Sequence, residues 1–589
     1  MSKPFSRGLI SPIMVWGRAQ VRGGAKMPRV IKLRGTEEEV THPRWPIFII
    51  LLIAAAIRLA GIGYGLPFSL YGEEQRIVNQ AFSLTNATLK PARFDQPVFM
   101  SYILAGEYGA VYGVGNLTKK FQSTKDFDAY FRGKPRLFLV LARLTNVALA
   151  LLSIFLVYLF ASRIFEWTTG VAAALFIAVL PQHVYFSDIA TGDMLAFLFI
   201  VGGVYCLLKL VADKRLATVF LAAFFFGFAA AAEYEYLPLI VLVYVVYLIV
   251  VPRDYKFSAF VAGIPMIAIS FAFAFLLVNG ILFIEPSKFL YGIVTTLRGE
   301  SGILTLSSVD SAFAMLKALV ATDIFSAALG WGLVGAGVFG ILLGLALAKH
   351  RRTLFLILLL TLALSAVLFY PVGREGYERW TMLLALPLAL GAGTVLERLF
   401  WRTWIPAVVG MALITLCMLA IAAQPAAEAG IATWRNGGDD TRYQFAEWAA
   451  DNLPDGAFVV ATPNAQFLLD ARFMRPADAT FAPWRMEILR WWNNRSYRLE
   501  ILPVPPRAPL PSLGGVSYVA VDSWSLEHLK ALTMPEAKDA LSLVDFARSQ
   551  GAVIKTFDAP ASGLKGFGPT IEVLALPGAP PLQPTQTGS

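Results

Sequence analysis

Cysteine is almost missing from this chain. The two that occur, Cys206 and Cys417, both fall in apolar runs, and they support neither a disulfide framework nor a zinc-binding set. Histidine is nearly as scarce, with four residues and no ligand-like spacing. Charge is the third shortage. Only 15% of the 589 residues are charged, against about a quarter in soluble domains, while 57% are hydrophobic and mean hydropathy is +0.61. Such a composition excludes an ordinary soluble domain and describes a polytopic membrane protein.

The formal charge of +10 is unevenly placed. Residues 1–44 carry nine Lys/Arg and three Glu, a local +6, which leaves +4 for the remainder. A basic leader before the first apolar run reads as a cytoplasmic anchor under the positive-inside rule rather than as a nucleic-acid arm. It is too long and polar for an ordinary signal peptide. Met27 also precedes a short basic leader, so the start of translation is open between the two.

Apolar runs predict spans at about 46–64, 137–160, 169–186, 189–210, 216–233, 237–252, 258–281, 329–348, 353–370, 380–396 and 403–424, about eleven in all. Residues 98–115 are apolar but hold Glu107 and several glycines, and they read as a helix lying in the interface. With that choice nearly every short basic loop falls on one side: Arg163; Lys209, Lys214 and Arg215; Arg253 and Lys256; Lys349, Arg351 and Arg352; Arg398 and Arg402. The expected division is a basic cytoplasmic segment (1–45), a transmembrane domain (46–424) with an external loop at 65–136, an external domain (425–580) and a disordered tail (581–589). The tail-ward domain is no longer membrane-like. Asp440 caps an amphipathic helix carrying Phe445, Trp448, Ala449 and Leu453, and strand-like runs follow at 458–461, 516–521, 552–557 and 570–576, with a helical stretch at about 525–549. The fold class expected is thus a polytopic α-helical membrane protein with a small C-terminal α/β domain.

Candidate chemistry gathers at the external ends of the spans. Glu73 and Glu74 open a helix-like stretch at 74–84, and Asp95 sits in the turn Phe94-Asp95-Gln96-Pro97. Carboxylates at the mouth of a span are costly and read as functional, although a solvated loop, a helix start or a turn residue accounts for them too. Pro181 to Asp188 reads as a short external turn. Asp193 lies one turn deeper, where a lone carboxylate needs a reason, and His183, a candidate for substrate binding, fits a packed interface residue better than a base. Glu233 and Glu235 reach the external face beside tyrosines that suit an interfacial belt. Arg374, Tyr377 and Arg379 form a tight external loop; its arginines either snorkel or grip a phosphate in a fork. Acids and arginines on one face suit a reaction between a lipid-borne phosphate and a polar acceptor.

The order of these motifs resembles the GT-C superfamily of membrane glycosyltransferases. It comprises a first span, an acidic pair, an Asp-x-Pro turn, the run Arg136 to Phe165, the Pro-Gln-His-Val-Tyr-Phe-Ser turn with Asp193, and Tyr377-Glu378-Arg379-Trp380. The chain is most similar to the protein O-mannosyltransferase and aminoarabinose transferase branch. The resemblance implies sugar transfer from a polyprenyl-phosphate donor to a glycan, lipid or protein acceptor on the outer face of a cell inner membrane, with no nucleic acid involved. It puts Glu73 at the family's catalytic acid, Glu74 at the glutamate that follows, and Asp95 in an Asp/Lys-Pro-Pro turn. The chain departs from the family at Tyr71-Gly72-Glu73-Glu74, where His-Pro-Asp-Glu is usual, and at Ala232-Glu233-Tyr234, where Thr-Lys-Tyr is usual. No cofactor is required by these motifs, and a divalent metal is left open. Two rival readings are a lipid-carrier flippase and a non-catalytic assembly factor; charges gathered at one face rather than the bilayer midplane weigh against the flippase.

Overall fold

A computed structural model describes residues 45–582 apart from 64–65, 67–71, 86–90, 92–96, 252–256, 284, 300–328, 348–350, 373–377, 402–414, 424–439, 455, 466–497, 503–509, 511, 532–534 and 559–567. Its first helices are α1 (Trp45–Gly61), α2 (Gly72–Leu84), α3 (Phe99–Leu117), α4 (Thr124–Gly133), α5 (Pro135–Ile164), α6 (Trp167–Val179), α7 (Pro181–Ser187), α8 (Asp193–Asp213) and α9 (Leu216–Ala232). There follow α10 (Leu239–Val250), α11 (Phe257–Val278), α12 (Pro286–Gly299), α13 (Trp331–Leu347), α14 (Arg352–Val372) and α15 (Glu378–Trp401). Among the described residues three helices are long and apolar enough to cross a membrane, or four if the bent α6–α7 pair is one span, and several shorter apolar helices accompany them. Most of the run expected at 403–424 lies outside the described residues.

The helix α5 is the spine. Pro135 occupies its first turn, where a missing N–H costs nothing, and its 30 residues reach about 45 Å, more than the roughly 30 Å of hydrocarbon. The span expected at 169–186 is broken: α6 and α7 meet at 61°. Leu180 has extended backbone and Pro181 begins α7, so the proline restarts a helix instead of continuing one. The segment from Pro181 is therefore a short helix rather than the turn expected, with Asp188 closing its C-terminal end. The next span begins at Asp193 rather than 189.

Small residues set a close helix crossing. A Cβ at Gly340 of α13 would stand 2.0 Å from the Gly391 carbonyl oxygen of α15, and one at Gly391 would stand 2.3 Å from the Gly337 carbonyl oxygen. Backbones this near are how helices associate where lipid removes the hydrophobic drive.

The helices α2, α3 and α4 cover the start of α5 through a cluster of aromatic side chains. Phe82 stacks on Phe131 at 3.8 Å, and Phe138 meets Tyr108, Phe127 and Phe131. The C-terminal part is a five-stranded sheet of order β2-β1-β3-β5-β4, from β1 (Phe458–Ala461), β2 (Arg498–Ile501), β3 (Tyr518–Asp522), β4 (Ala552–Phe557) and β5 (Ile571–Ala575). Strands β2, β1 and β3 are parallel, and β5 and β4 antiparallel. Alternate residues of β3 face opposite ways: Tyr518 and Ala520 meet α16 (Thr441–Asn452), while Val519 and Val521 meet α17 (Ser523–Ala531) and α18 (Pro535–Gln550). The single helix expected at 525–549 is thus two, and strand β2 escaped the sequence reading. From the other face of α16, Ala446 enters the aromatic cluster of α2–α5.

Gly340→Leu should force α13 and α15 apart and lower the apparent melting temperature in detergent, at a cost of about 1–3 kcal/mol. Gly335→Leu is the control, since a Cβ there meets nothing within 4 Å.

Candidate functional site

The sequence placed its acids at span ends; the structure shows what holds Glu74 there. Arg143, fully buried on α5, donates from Nε to Glu74 Oε1 at 2.7 Å and from Nη2 to Glu74 Oε2 at 2.8 Å. Its Nη1 reaches the Ile62 carbonyl just after α1 at 2.8 Å. Glu74 Oε1 also accepts from the Ala190 N–H at 3.1 Å. A forked pair of this kind fixes direction as well as charge. It ties α1, α2 and α5 to the turn between α7 and α8.

One face of α5 supplies the other clamps. Asn146 donates its amide to the carbonyls of Ile189 and Thr191. Two turns further along α5, Ser153 Oγ pairs with His183 Nε2 at 3.1 Å, and Arg58 Nη2 of α1 meets His183 Nδ1 at 2.7 Å. Arginine has no lone pair to offer, so Nδ1 accepts and the ring proton sits on Nε2, donated to Ser153. Ser153 then gives its own hydrogen to the Ala150 carbonyl. Both nitrogens of His183 are occupied inside the fold, and its side chain is buried.

The clamped turn leads into Asp193, the first residue of α8, which is buried. Gly192 before it lies where a Cβ would stand 2.5 Å from both the Ala232 carbonyl oxygen and Glu233 Oε1, so the backbone passes close only because no side chain intervenes. Glu233 and Glu235 are each 7% exposed, and Tyr236 stands in the field of Asp193, Glu235 and Glu233. The tyrosines beside them are buried too, so this segment packs into the bundle instead of forming the interfacial belt its composition suggested. A short 3-10 turn at Tyr234–Tyr236 folds the acids inward. Asp188, in the turn itself, is pushed up to about 7 by burial, against the opposing pull of Arg58 and Arg143.

The remaining candidates are placed less fully. Glu73 falls in the first turn of α2, which starts at Gly72 rather than 74, and Arg379 falls in the first turn of α15. Asp95, Arg374 and Tyr377 lie outside the described residues. Sequence reasoning missed Arg58, Arg143 and Asn146. Their signal was present: ionisable or amide groups within apolar runs, with Arg143, Asn146 and Ser153 spaced to share one face of α5.

Residues 139–281 match the family model described as dolichyl-phosphate-mannose-protein mannosyltransferase. The match covers that stretch alone, less than half of the chain. The matched segment contains Arg143, Asn146, Ser153, His183, Asp188, Asp193 and Glu233, while Arg58 and Glu74 reach it from outside. Among solved structures, ArnT from Cupriavidus metallidurans bound to undecaprenyl phosphate is similar at 14% identity and TM-score 0.49, covering 90% of this chain and 97% of that one. The oligosaccharyltransferase AglB from Archaeoglobus fulgidus, in complex with an inhibitory peptide and a dolichol-phosphate, is similar at 14% identity and TM-score 0.43, covering 81% and 69%. No curated protein matches the chain.

Removing one member of the buried pair should leave the other charge stranded. Glu74→Ala is expected to cost about 3–5 kcal/mol, whereas Glu74→Met with Arg143→Met should recover most of that in thermal unfolding.

Proposed function

We propose that the chain transfers a sugar from a polyprenyl-phosphate donor to an acceptor hydroxyl at the outer face of the membrane, by inverting displacement. The observation that carries this reading is the locked Glu74–Arg143 pair, which fixes the first turn of α2, and with it Glu73, beside the turn leading to Asp193. The match of residues 139–281 to a mannosyltransferase family model supports the reaction class.

In this reading the Glu73 carboxylate takes the proton of the acceptor hydroxyl. The oxygen attacks the anomeric carbon, and the bond from that carbon to the lipid phosphate breaks, leaving polyprenyl phosphate. A helix N-terminus favours the ionised carboxylate that a base requires, and base assistance contributes about 10²–10⁴-fold. Glu74, spent on Arg143, serves as the positioning partner. Asp95 and Asp193 orient the acceptor or the arginines, and Arg374, Tyr377 and Arg379 receive the departing phosphate, where a forked guanidinium suits the charge. Apolar helices cradle the isoprenoid at about 0.8 kcal/mol per buried CH₂.

Glu73→Gln should lower turnover by ~10² or more with donor affinity little changed. Near-normal turnover in vesicles given donor and acceptor would remove Glu73 as the base. Orientation is tested separately, with the N-terminus read as cytoplasmic and the sheet domain as external. A periplasm-active reporter should work when fused after Gly578 and stay silent at Arg351; the reverse pattern would sink an outward-facing site.

A further inference from the structure

The segment between α3 and α5 carries an excess of positive charge that the proposed chemistry does not use. Residues 117–136 hold Lys119, Lys120, Lys125, Arg132, Lys134 and Arg136 against Asp126 and Asp128, six positive charges less two negative, or +4. Outward loops are ordinarily poor in Lys and Arg. On the outward reading of this loop, the excess needs its own cause.

The local structure supplies one. At the end of α3, Val114 is 62% and Leu117 85% exposed, both beside this charge. Lys119 follows with φ +58°, a left-handed conformation that glycine takes at helix ends without steric cost. A long basic side chain is kept where the backbone favours none. Asp126 is already counted in that balance, and its carboxylate is turned to the start of α4, where it accepts the N–H groups of Gln122 and Ser123 at 2.9 and 2.8 Å. Lys120 is already engaged, 3.0 Å from the Tyr130 hydroxyl and 4.1 Å above that ring, so the corner between α3 and α4 is braced. Lys119 and Lys125 remain exposed on it.

We infer that this corner binds the headgroups of anionic phospholipids, with Leu117 and Val114 entering the acyl boundary and Lys119 and Lys125 meeting the phosphates. A soluble polyanion would satisfy the lysines but leave Leu117 in water; a lipid surface satisfies both. The inference rests on the outward reading of residues 65–136.

The test places an environment-sensitive fluorophore on Asn116→Cys, in a background with Cys206→Ala and Cys417→Ala. The full chain is reconstituted in nanodiscs of phosphatidylcholine with rising phosphatidylglycerol. The emission should shift to the blue and saturate with phosphatidylglycerol. Lys125→Gln and Lys119→Gly should each raise the half-saturating fraction about fivefold, and Lys125→Arg should restore it. Lys119→Gly should also raise the melting temperature, because glycine relieves the left-handed backbone, which separates lipid binding from folding. Equal emission in phosphatidylcholine alone, or an unchanged titration in Lys119→Gly/Lys125→Gln, would overturn the inference. Glycosyl transfer measured in the same discs keeps the two readings apart: its absence with an intact lipid response counts against the transferase, not the anchor. Reaction of Asn116→Cys with a membrane-impermeant thiol reagent in intact cells reports the orientation independently.

Discussion

A single buried ion pair carries much of this architecture. Charges inside an apolar bundle are tolerated only when each is met by a partner of good geometry. Arg143 and Glu74 meet in a fork, and the groups left over on each side bond to Ile62 and Ala190. Two helices, a helix end and a turn are thereby joined at one point. Glu74 lies against the stretch that enters Asp193 because this pair, with the amide of Asn146, sets the path of the 186–193 turn.

The same bundle divides its work between polar and apolar contacts. Polar clamps lie along one face of α5 and specify which loop goes where. Elsewhere, association comes from shape: Gly337, Gly340 and Gly391 let α13 and α15 touch backbone to backbone, and an aromatic cluster roofs α5 with α2, α3 and α4. The C-terminal sheet joins this roof through α16, whose Phe445 and Ala449 face the sheet while Ala446 faces the roof. That helix is held at its start by Asp440, which accepts the Arg442 N–H and pairs with its guanidinium. A domain of ordinary α/β construction is thus continuous with the loop that bears the candidate acids.

The sequence by itself determined the class of the protein and most of its elements. Long apolar runs have one solution in lipid, so the helices from 137 to 278 lie close to where hydropathy put them. Strands β1, β3, β4 and β5 were legible from short β-branched runs. The acidic positions at span ends were legible because such groups are rare there, and the order of motifs pointed to a mannosyltransferase-like branch, in keeping with the family model that residues 139–281 match. Tertiary structure alone decided the partners. Nothing local pairs Glu74 with a residue 69 positions away or turns His183 inward between Arg58 and Ser153. The break at Pro181 and the inward turn of Glu233 were likewise settled by packing. The physical reason is range: hydropathy and helix periodicity act over a turn or two, whereas the cost of a buried charge is met by whatever the fold brings against it.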